Sequence, residues 1–147
     1  MATMREPSNR EIGERFQKRV AGLLAERFDE EFALDVEIPI GTPPKGHRFD
    51  VVSRSRSVIC ECKANTWTVS GNVPSAKIST LREAVSYLTQ VPGPATRVLA
   101  LARATARGRT ETLGEYFVRL NENLLGDVVV LDVAPDAGDM RPIRGDL

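Results

Sequence analysis

The sequence is poor in the residues that build disulfide frameworks and zinc sites. It contains two cysteines and one histidine, and the cysteines, Cys60 and Cys62, lie one residue apart in a predicted strand. Side chains at positions i and i+2 of a strand do not form an unstrained disulfide. A four-ligand zinc site also has too few cysteine and histidine ligands. We therefore predict two reduced cysteines that pack as small hydrophobic residues.

Long apolar runs are also absent. The longest, such as Val128–Val133, contains an aspartate and falls far short of the roughly 20 residues that cross a bilayer. Residues 1–10 include three charged residues and lack the apolar segment of a secretory signal. These features predict a cytoplasmic protein without a membrane span.

The net charge of the 147 residues is zero, but the charges are unevenly distributed. Residues 45–110 contain eleven basic and three acidic residues, a net charge of +8. Residues 121–147 have a net charge of −4, and residues 1–44 one of −3. The middle of the chain is therefore the part expected to face a polyanion such as a nucleic acid.

Apolar periodicity predicts alternating helices and strands. The predicted helices are Asn9 to about Glu30, Ser75 as an N-cap to about Gln90, and Thr110 to about Asn123; the predicted strands are Leu34–Ile40, His47–Arg54, Ser57–Lys63, Arg97–Ala102 and Asp127–Val133. This order, αβββαβ followed by a further αβ, predicts an α/β fold in which helices flank a mixed sheet. We predict a single domain over residues 1–147 with its core at about 9–133, and an irregular, acidic tail at 134–147.

Two of these strands form a predicted hairpin. Because strand side chains alternate, Glu61 and Lys63 share one face. If Ser55-Arg56 is a two-residue turn, Asp50 lies directly opposite Glu61. A four-residue loop over residues 54–57 keeps that register, whereas a three-residue loop breaks it.

The opposed carboxylates point to a metal site. Directly opposed side chains have Cβ atoms about 4.5–5.5 Å apart, where two carboxylates repel each other unless a cation lies between them. Hard oxygen ligands with open water positions suit Mg²⁺ or Mn²⁺. A solvated strand face is the alternative for Glu61 and Lys63, but their strand is nearly continuously apolar, where unpartnered charges are costly. We therefore predict a phosphoryl-transfer site of Asp50, Glu61 and Lys63.

A family resemblance rests on these residues. Asp50, ten intervening residues and then Glu61-Cys62-Lys63 at the end of an apolar strand resemble the motif of the PD-(D/E)XK nuclease superfamily. The element order resembles the restriction-endonuclease-like core over about residues 9–102. Gly13-Glu14-Arg15-Phe16 is similar to an element that opens archaeal Holliday-junction resolvases and restriction-enzyme-like members of the superfamily. Phe49 stands where the motif has its proline.

The resemblance implies a Mg²⁺- or Mn²⁺-dependent endonuclease that hydrolyses a DNA or RNA phosphodiester and leaves 5′-phosphates; of the two substrates, DNA is favoured over RNA. Asp50 and Glu61 would ligate the metal with the backbone carbonyl of Cys62, and Lys63 would orient the attacking water or stabilise the developing charge. Glu14 would be a further, water-mediated ligand; a surface glutamate is the alternative, because Glu14 lies at the margin of the apolar helix face. Cutting two strands with one site per domain favours a homodimer.

Six further residues are candidates for nucleic-acid contact. Trp67 could stack on a base, with a core tryptophan as the alternative. The basic candidates could contact phosphates, with a solvated surface as the alternative. Lys45 and His47 are interpreted as loop residues rather than as phosphate contacts. The six candidates are Trp67, Lys77, Arg82, Arg103, Arg107 and Arg109.

Two other functions remain open from the sequence. The first is a nucleic-acid-binding or scaffold module that keeps the nuclease fold with little or no activity. The second is a structural partner in a larger restriction or defence assembly. The intact set of Asp50, Glu61 and Lys63 favours the enzyme over both.

Overall fold

The structure, a computed structural model, describes residues 5–134 and 138–147. Its helices are α1 (Asn9–Phe28), α2 (Ser75–Thr89) and α3 (Leu113–Asn121), the last followed by a short 3-10 helix (Glu122–Leu124); its strands are β1 (Phe32–Ile40), β2 (Lys45–Ser53), β3 (Val58–Lys63), β4 (Thr96–Ala102), β5 (Val129–Val133) and β6 (Met140–Arg144). The predicted order of the first eight elements is confirmed, and β6 is added at the C-terminal end.

The six strands form one open, mixed sheet in the order β1-β2-β3-β4-β5-β6. The first three strands are antiparallel, β3, β4 and β5 are parallel, and β6 returns antiparallel to β5. Helix α1 covers one face of the sheet, and α2 and α3 cover the other. The expected α/β fold with a mixed sheet is therefore confirmed.

Helix α1 follows the predicted apolar periodicity. Phe16, Val20 and Leu24 are buried against the sheet, at the four-residue spacing of one helix face. The Ser8 side chain caps the first turn by accepting the N–H of Glu11. The helix ends before the predicted Glu30 because the next residue, at position 29, adopts the left-handed conformation with φ of 51°.

Helix α2 buries the predicted stripe but begins differently from the prediction. Ile78, Leu81 and Leu88 of the stripe are buried. Ser75 was predicted as the N-cap, and this is wrong: Ser75 is the first helical residue, and Pro74 is the cap without a side-chain hydrogen bond. Proline suits this end because it lacks an N–H group.

Helix α3 is shorter than predicted because a capping box sets its start. The Thr112 side chain accepts the N–H of Glu115, and the Glu115 side chain accepts the N–H of Thr112. Thr110 therefore lies outside the helix. At the other end, the chain tightens into the 3-10 helix after Asn121.

The predicted irregular tail is wrong for residues 140–144, which form β6; residues 135–137 of that tail lie outside the described residues. The sequence signals for a tail were proline and glycine. Pro142 is compatible with a strand at the edge of a sheet, where one side of the backbone has no partner strand. Two arginines also tie β6 down: Arg141 binds Asp132, and Arg144 donates to the carbonyl groups of Gly126 and Val128.

The two predictions about absent features concern the cysteines and the membrane. Both cysteines are free, as predicted, with Cys60 buried and Cys62 partly buried. None of the helices in the described part of the chain is long and apolar enough to span a membrane.

Candidate active site

The β2–β3 hairpin has the predicted register. Val51 pairs with Cys60 and Val52 pairs with Ile59; continued by one position, this register would set Asp50 opposite Glu61, where the regular pairing of the two strands ends. The connection between the strands is the four-residue alternative, residues 54–57. Ser53 closes it, because its carbonyl accepts the N–H of residue 56 at 2.8 Å and its hydroxyl accepts the N–H of residue 58 at 2.9 Å.

Asp50 and Glu61 are joined by a reciprocal pair of hydrogen bonds, which we call the carboxylate clasp. Oδ2 of Asp50 accepts the backbone N–H of Cys62 at 2.7 Å, and Oε1 of Glu61 accepts the backbone N–H of Asp50 at 3.3 Å. Each side chain therefore binds the strand that carries the other. Each carboxylate uses one oxygen in the clasp, which leaves its second oxygen outside it.

The clasp forms where β2 departs from regular alternation. Phe49 and Val51 would share a face of a regular strand, yet Phe49 packs in the α2-side core and Val51 in the α1-side core. Helix α1 holds this point, because the Gln17 amide donates to the Asp50 carbonyl at 2.7 Å and to the side chain of Asp35 at 2.9 Å. Asp35 itself has φ of 54°. Asp50 therefore lies at a bend that α1 and β1 both support.

The clasp places two acidic groups in a poorly solvated position. Glu61 is 5% exposed, and burial, followed by the charge of Asp50, raises its pKa to about 8. Burial also raises the pKa of Asp50, opposed by the hydrogen bond from Cys62 and the charge of Lys63. Such carboxylates favour a cation or a proton between them.

Lys63 and Glu61 face a small cavity between β3 and α2. Its volume is about 110 Å³. Because β3 side chains alternate, both residues point to the α2 side of the sheet. Its lining consists of Glu61, Lys63, Thr80, Glu83, Ala84 and Tyr87.

His47 lies beside the clasp, although the sequence suggested a loop residue. It belongs to β2, its ring stacks on Tyr87 at 3.8 Å, and its Nε2 lies 3.7 Å from Oε2 of Glu61. Burial lowers the pKa of His47, which keeps its ring neutral near pH 7. Nε2 is buried and has no hydrogen-bond partner within the described residues. The only sequence signal for His47 was its position three residues before Asp50.

Glu14 is not brought to the clasp. Its side chain is 52% exposed and pairs with Arg10 on the same helix at 3.1 Å. Gln17, one turn further along α1, is the helix side chain that contacts the backbone of Asp50. Among the residues described, no three histidine, cysteine, aspartate or glutamate side chains form a group that could hold a metal ion.

Two of the six nucleic-acid candidates have structural contacts instead. Trp67 is 6% exposed and donates its indole N–H to the carbonyl of Ala104 at 3.1 Å. The guanidinium of Arg109 stacks on the Trp67 ring at 4.1 Å and donates to the carbonyl of Gly71. A tryptophan covered in this way has no free ring face for a base, so the core alternative applies to Trp67.

The other four candidates are more accessible. Lys77, Arg82 and Arg107 are exposed, and Arg82 also donates to the side chain of Asn121 at 2.9 Å. Arg103 is half-buried and pairs with Asp139 at 3.2 Å. These side chains belong to α2 and to the segment after β4, and none of them lines the small cavity that Glu61 and Lys63 face.

Comparisons of this chain with protein-family models, with curated proteins and with solved structures found no match. The function is therefore inferred from the clasp, the residues around it and the resemblance of the motif.

Proposed function

We propose that the chain is a metal-dependent endonuclease of the PD-(D/E)XK superfamily that hydrolyses phosphodiester bonds, in DNA rather than RNA. The observation that carries this proposal is the carboxylate clasp, in which the buried Glu61 and the half-buried Asp50 meet on neighbouring strands, with Lys63 on the same face as Glu61. A mixed sheet with α1 on one face and α2 on the other is compatible with the restriction-endonuclease-like core that the motif implies.

The residues of the clasp fit a hard divalent cation. Burial is the main cause of the raised pKa values of Asp50 and Glu61, and the charge of Asp50 raises the pKa of Glu61 further. Mg²⁺ is commonly held by one or two carboxylates and several waters rather than by a cage of side chains. Asp50, Glu61 and the carbonyl of Cys62 would hold Mg²⁺ or Mn²⁺. The ion would lower the pKa of a bound water and neutralise charge on a phosphate.

The side chains around the clasp have separate roles in the proposed reaction. Lys63 donates hydrogen bonds to the attacking water or to a phosphate oxygen as negative charge develops. Gln17 and Asp35 keep Asp50 at the bend of β2, and this preserves its position opposite Glu61. The neutral ring of His47 limits the freedom of Glu61 by packing between Tyr87 and the carboxylate.

The substrate is proposed to lie along the basic middle of the chain. Lys77, Arg82 and Arg107 are exposed and would contact phosphates without reading bases. A homodimer would supply two sites for the two strands of a duplex.

A second candidate function is a binding or scaffold module with the same fold. It is favoured by one observation: Oδ2 of Asp50 and Oε1 of Glu61 already bind backbone N–H groups, so the clasp holds itself together without an ion. In that function the basic surface would bind nucleic acid and the clasp would serve only to join β2 and β3.

A cleavage panel separates these two functions. Purified protein is incubated with Mg²⁺ or Mn²⁺ and supercoiled plasmid, single-stranded DNA, branched DNA or RNA. We expect cleavage of DNA by the native chain, and a loss on the order of 10²–10³ in rate for Lys63→Ala. Lys18→Ala removes the same charge from an exposed position on α1 that has no proposed role in catalysis or binding, and it is the matched control.

Calorimetry with Mn²⁺ completes the test. The native chain should bind Mn²⁺, and Glu61→Gln should remove that binding while keeping an acceptor for the N–H of Asp50. Folded native protein that neither binds Mn²⁺ nor cleaves any substrate would leave the binding-module function in place of the enzyme.

A further inference from the structure

A second cavity, which we call the arginine cavity, lies on the α1 side of the sheet and has a volume of about 550 Å³. Its lining combines three guanidinium groups with an apolar wall and one hydroxyl group. None of the described residues that line it carries a carboxylate. The residues that define its character are Arg15, Arg19, Arg103, Ile12, Phe16 and Thr66.

The arginine cavity lies at the carboxyl ends of the parallel strands β3 and β4. Its lining includes Ala64, which directly follows β3, and Ala102, which ends β4. This end of a parallel sheet is where open α/β folds bind ligands. The small side chains of both alanines leave the space that the arginines surround.

The cavity and the carboxylate clasp share one edge of the sheet. Lys63 lines the small cavity on the α2 side, and the next residue, Ala64, lines the arginine cavity on the α1 side. Consecutive Cα atoms are about 3.8 Å apart, so only the end of β3 separates the two. A polymer that crosses this edge would contact both.

Within the described residues, Arg103 has hydrogen-bond donors without an acceptor. Its Nη1 donates to Asp139 at 3.2 Å. Its Nε and Nη2 are buried and have no hydrogen-bond partner among residues 5–134 and 138–147. Buried donors without acceptors are unfavourable, and an anion that entered the cavity could supply acceptors after a small rotation of this side chain.

We propose that the arginine cavity binds a phosphate group of a nucleic-acid strand, beside the phosphate that the clasp cleaves. Guanidinium groups bind phosphate oxygens through paired N–H donors, as they also bind carboxylates, and the net charge of +8 over residues 45–110 favours a polyanionic strand as the source of the ligand. Ile12, which is 41% exposed, and Phe16 offer an apolar surface to the attached sugar or base. The role as a substrate subsite rests on the proposed nuclease function, whereas phosphate binding does not.

The test measures binding without cleavage. The full chain is titrated into a fluorescently labelled single-stranded DNA oligonucleotide in EDTA, at several salt concentrations, and anisotropy gives the affinity. Arg15→Gln and Arg103→Gln are compared with the control Arg56→Gln, which makes the same chemical change at an exposed residue. Arg56 lies two positions before the start of β3, and the arginine cavity lies at the other end of that strand. Arg15 is exposed, so its variant should fold normally.

We expect Arg15→Gln and Arg103→Gln each to weaken binding about tenfold and to reduce the salt dependence, and Arg56→Gln to change affinity less than about twofold. Native affinity in both cavity variants would overturn the proposal. An equal loss in Arg56→Gln would do the same, because it would indicate diffuse attraction. Competition by poly-glutamate as strong as competition by unlabelled oligonucleotide would overturn the assignment to phosphate.

The same variants separate this proposal from the nuclease function. A chain that needs Arg15 and Arg103 for binding in EDTA but leaves DNA intact in Mg²⁺ would contradict the nuclease proposal alone. If the native chain cleaves DNA and both cavity variants bind DNA with native affinity, only the proposal that the arginine cavity binds phosphate is contradicted.

Discussion

The sheet contains two buried acidic centres, and they are built differently. Asp132 in β5 is 0% exposed and is met by partners that suit a carboxylate: the Thr112 hydroxyl donates to it at 3.0 Å and the Arg141 guanidinium at 3.2 Å. The buried Glu61 and the half-buried Asp50 instead lie together, with backbone N–H groups as their direct donors. Asp132 therefore has a cationic side chain, Arg141, in direct contact, whereas Asp50 and Glu61 are two acidic groups placed together.

The difference indicates which centre is structural. Asp132 connects the start of α3, through Thr112, to the edge strand β6, through Arg141. Its burial is therefore offset by contacts that hold two elements onto the sheet. Burial raises the pKa of Asp132 as well, and its Oδ1 has no hydrogen-bond partner within the described residues, but Arg141 and Thr112 oppose that rise. The pKa of Glu61 is instead raised further by a second acid, Asp50. A buried arrangement that lacks a counter-charge is characteristic of sites with perturbed pKa values and a function.

The largest expected contrast is in activity. Asp50→Asn keeps an oxygen for the Cys62 N–H but removes one of the proposed metal ligands, so the proposed cleavage activity should fall on the order of 10³-fold or more. The midpoint of thermal unfolding in EDTA should stay the same or rise, because the repulsion with Glu61 is removed. Rates and melting curves on the same preparation check both. Near-native cleavage by Asp50→Asn would contradict the assignment.

The reverse contrast is expected for Asp132→Ala. Thr112 and Arg141 lose their acceptor, so the free energy of unfolding should fall by about 3 kcal/mol, while cleavage per folded molecule should be unchanged. Urea denaturation gives the stability. Asp146→Ala, an exposed aspartate after β6, is the control and should change stability by less than about 0.5 kcal/mol. Equal effects of the two variants would remove the structural role of Asp132.

The pH dependence of stability should depend on Glu61. Its pKa in the folded protein, about 8, lies above the ordinary value of 4.5, so its stabilising contribution is fully present below pH 4.5 and is lost as the pH rises to about 8. In EDTA, Glu61→Gln should therefore be more stable than the native chain by about 4 kcal/mol at pH 8 and similar at pH 4.5.

Chemical denaturation at pH 5, 6, 7 and 8 in EDTA measures this difference. Glu26→Gln changes an exposed glutamate of α1 and should follow the native chain at every pH. A constant difference between Glu61→Gln and the native chain from pH 5 to pH 8 would show that Glu61 does not titrate in this range.

The smallest expected change in the free energy of unfolding tests how closely residues pack around Asp132. A Cβ atom on Gly114 would lie 2.8 Å from Oδ1 of Asp132 and 3.0 Å from Ile143. Gly114→Ala should therefore lower the free energy of unfolding by about 1 kcal/mol, after the gain in helix propensity. Gly22 in α1 has no atom within 4 Å of such a Cβ, so Gly22→Ala should raise stability by up to about 1 kcal/mol. Effects of the same sign in both variants would contradict the close packing.

Much of the fold could be predicted from local patterns. The stripe of Phe16, Val20 and Leu24 predicted α1, because the helical spacing of apolar residues is visible in the local sequence. The register of the β2–β3 hairpin was predictable as well, since a short connection restricts how two strands can pair. This register brought Asp50 and Glu61 together before any three-dimensional information was used.

Other parts of the site depend on contacts between distant segments. The bend at Asp50 requires Gln17, 33 positions away, and no local pattern in β2 indicates it. The same holds for His47, whose position against Tyr87 depends on how α2 packs on the sheet. Trp67 could not be assigned from sequence because the carbonyl it binds, that of Ala104, belongs to another loop.

The sequence by itself determined the order of the first eight elements and the opposition of two carboxylates on neighbouring strands, because periodicity and hairpin register are local properties of the chain. The tertiary structure decided the direction in which those carboxylates point, the addition of β6 and the enclosure of Arg103 beside α1. These features arise from packing between segments that lie far apart along the chain, and such packing is a property of the whole fold.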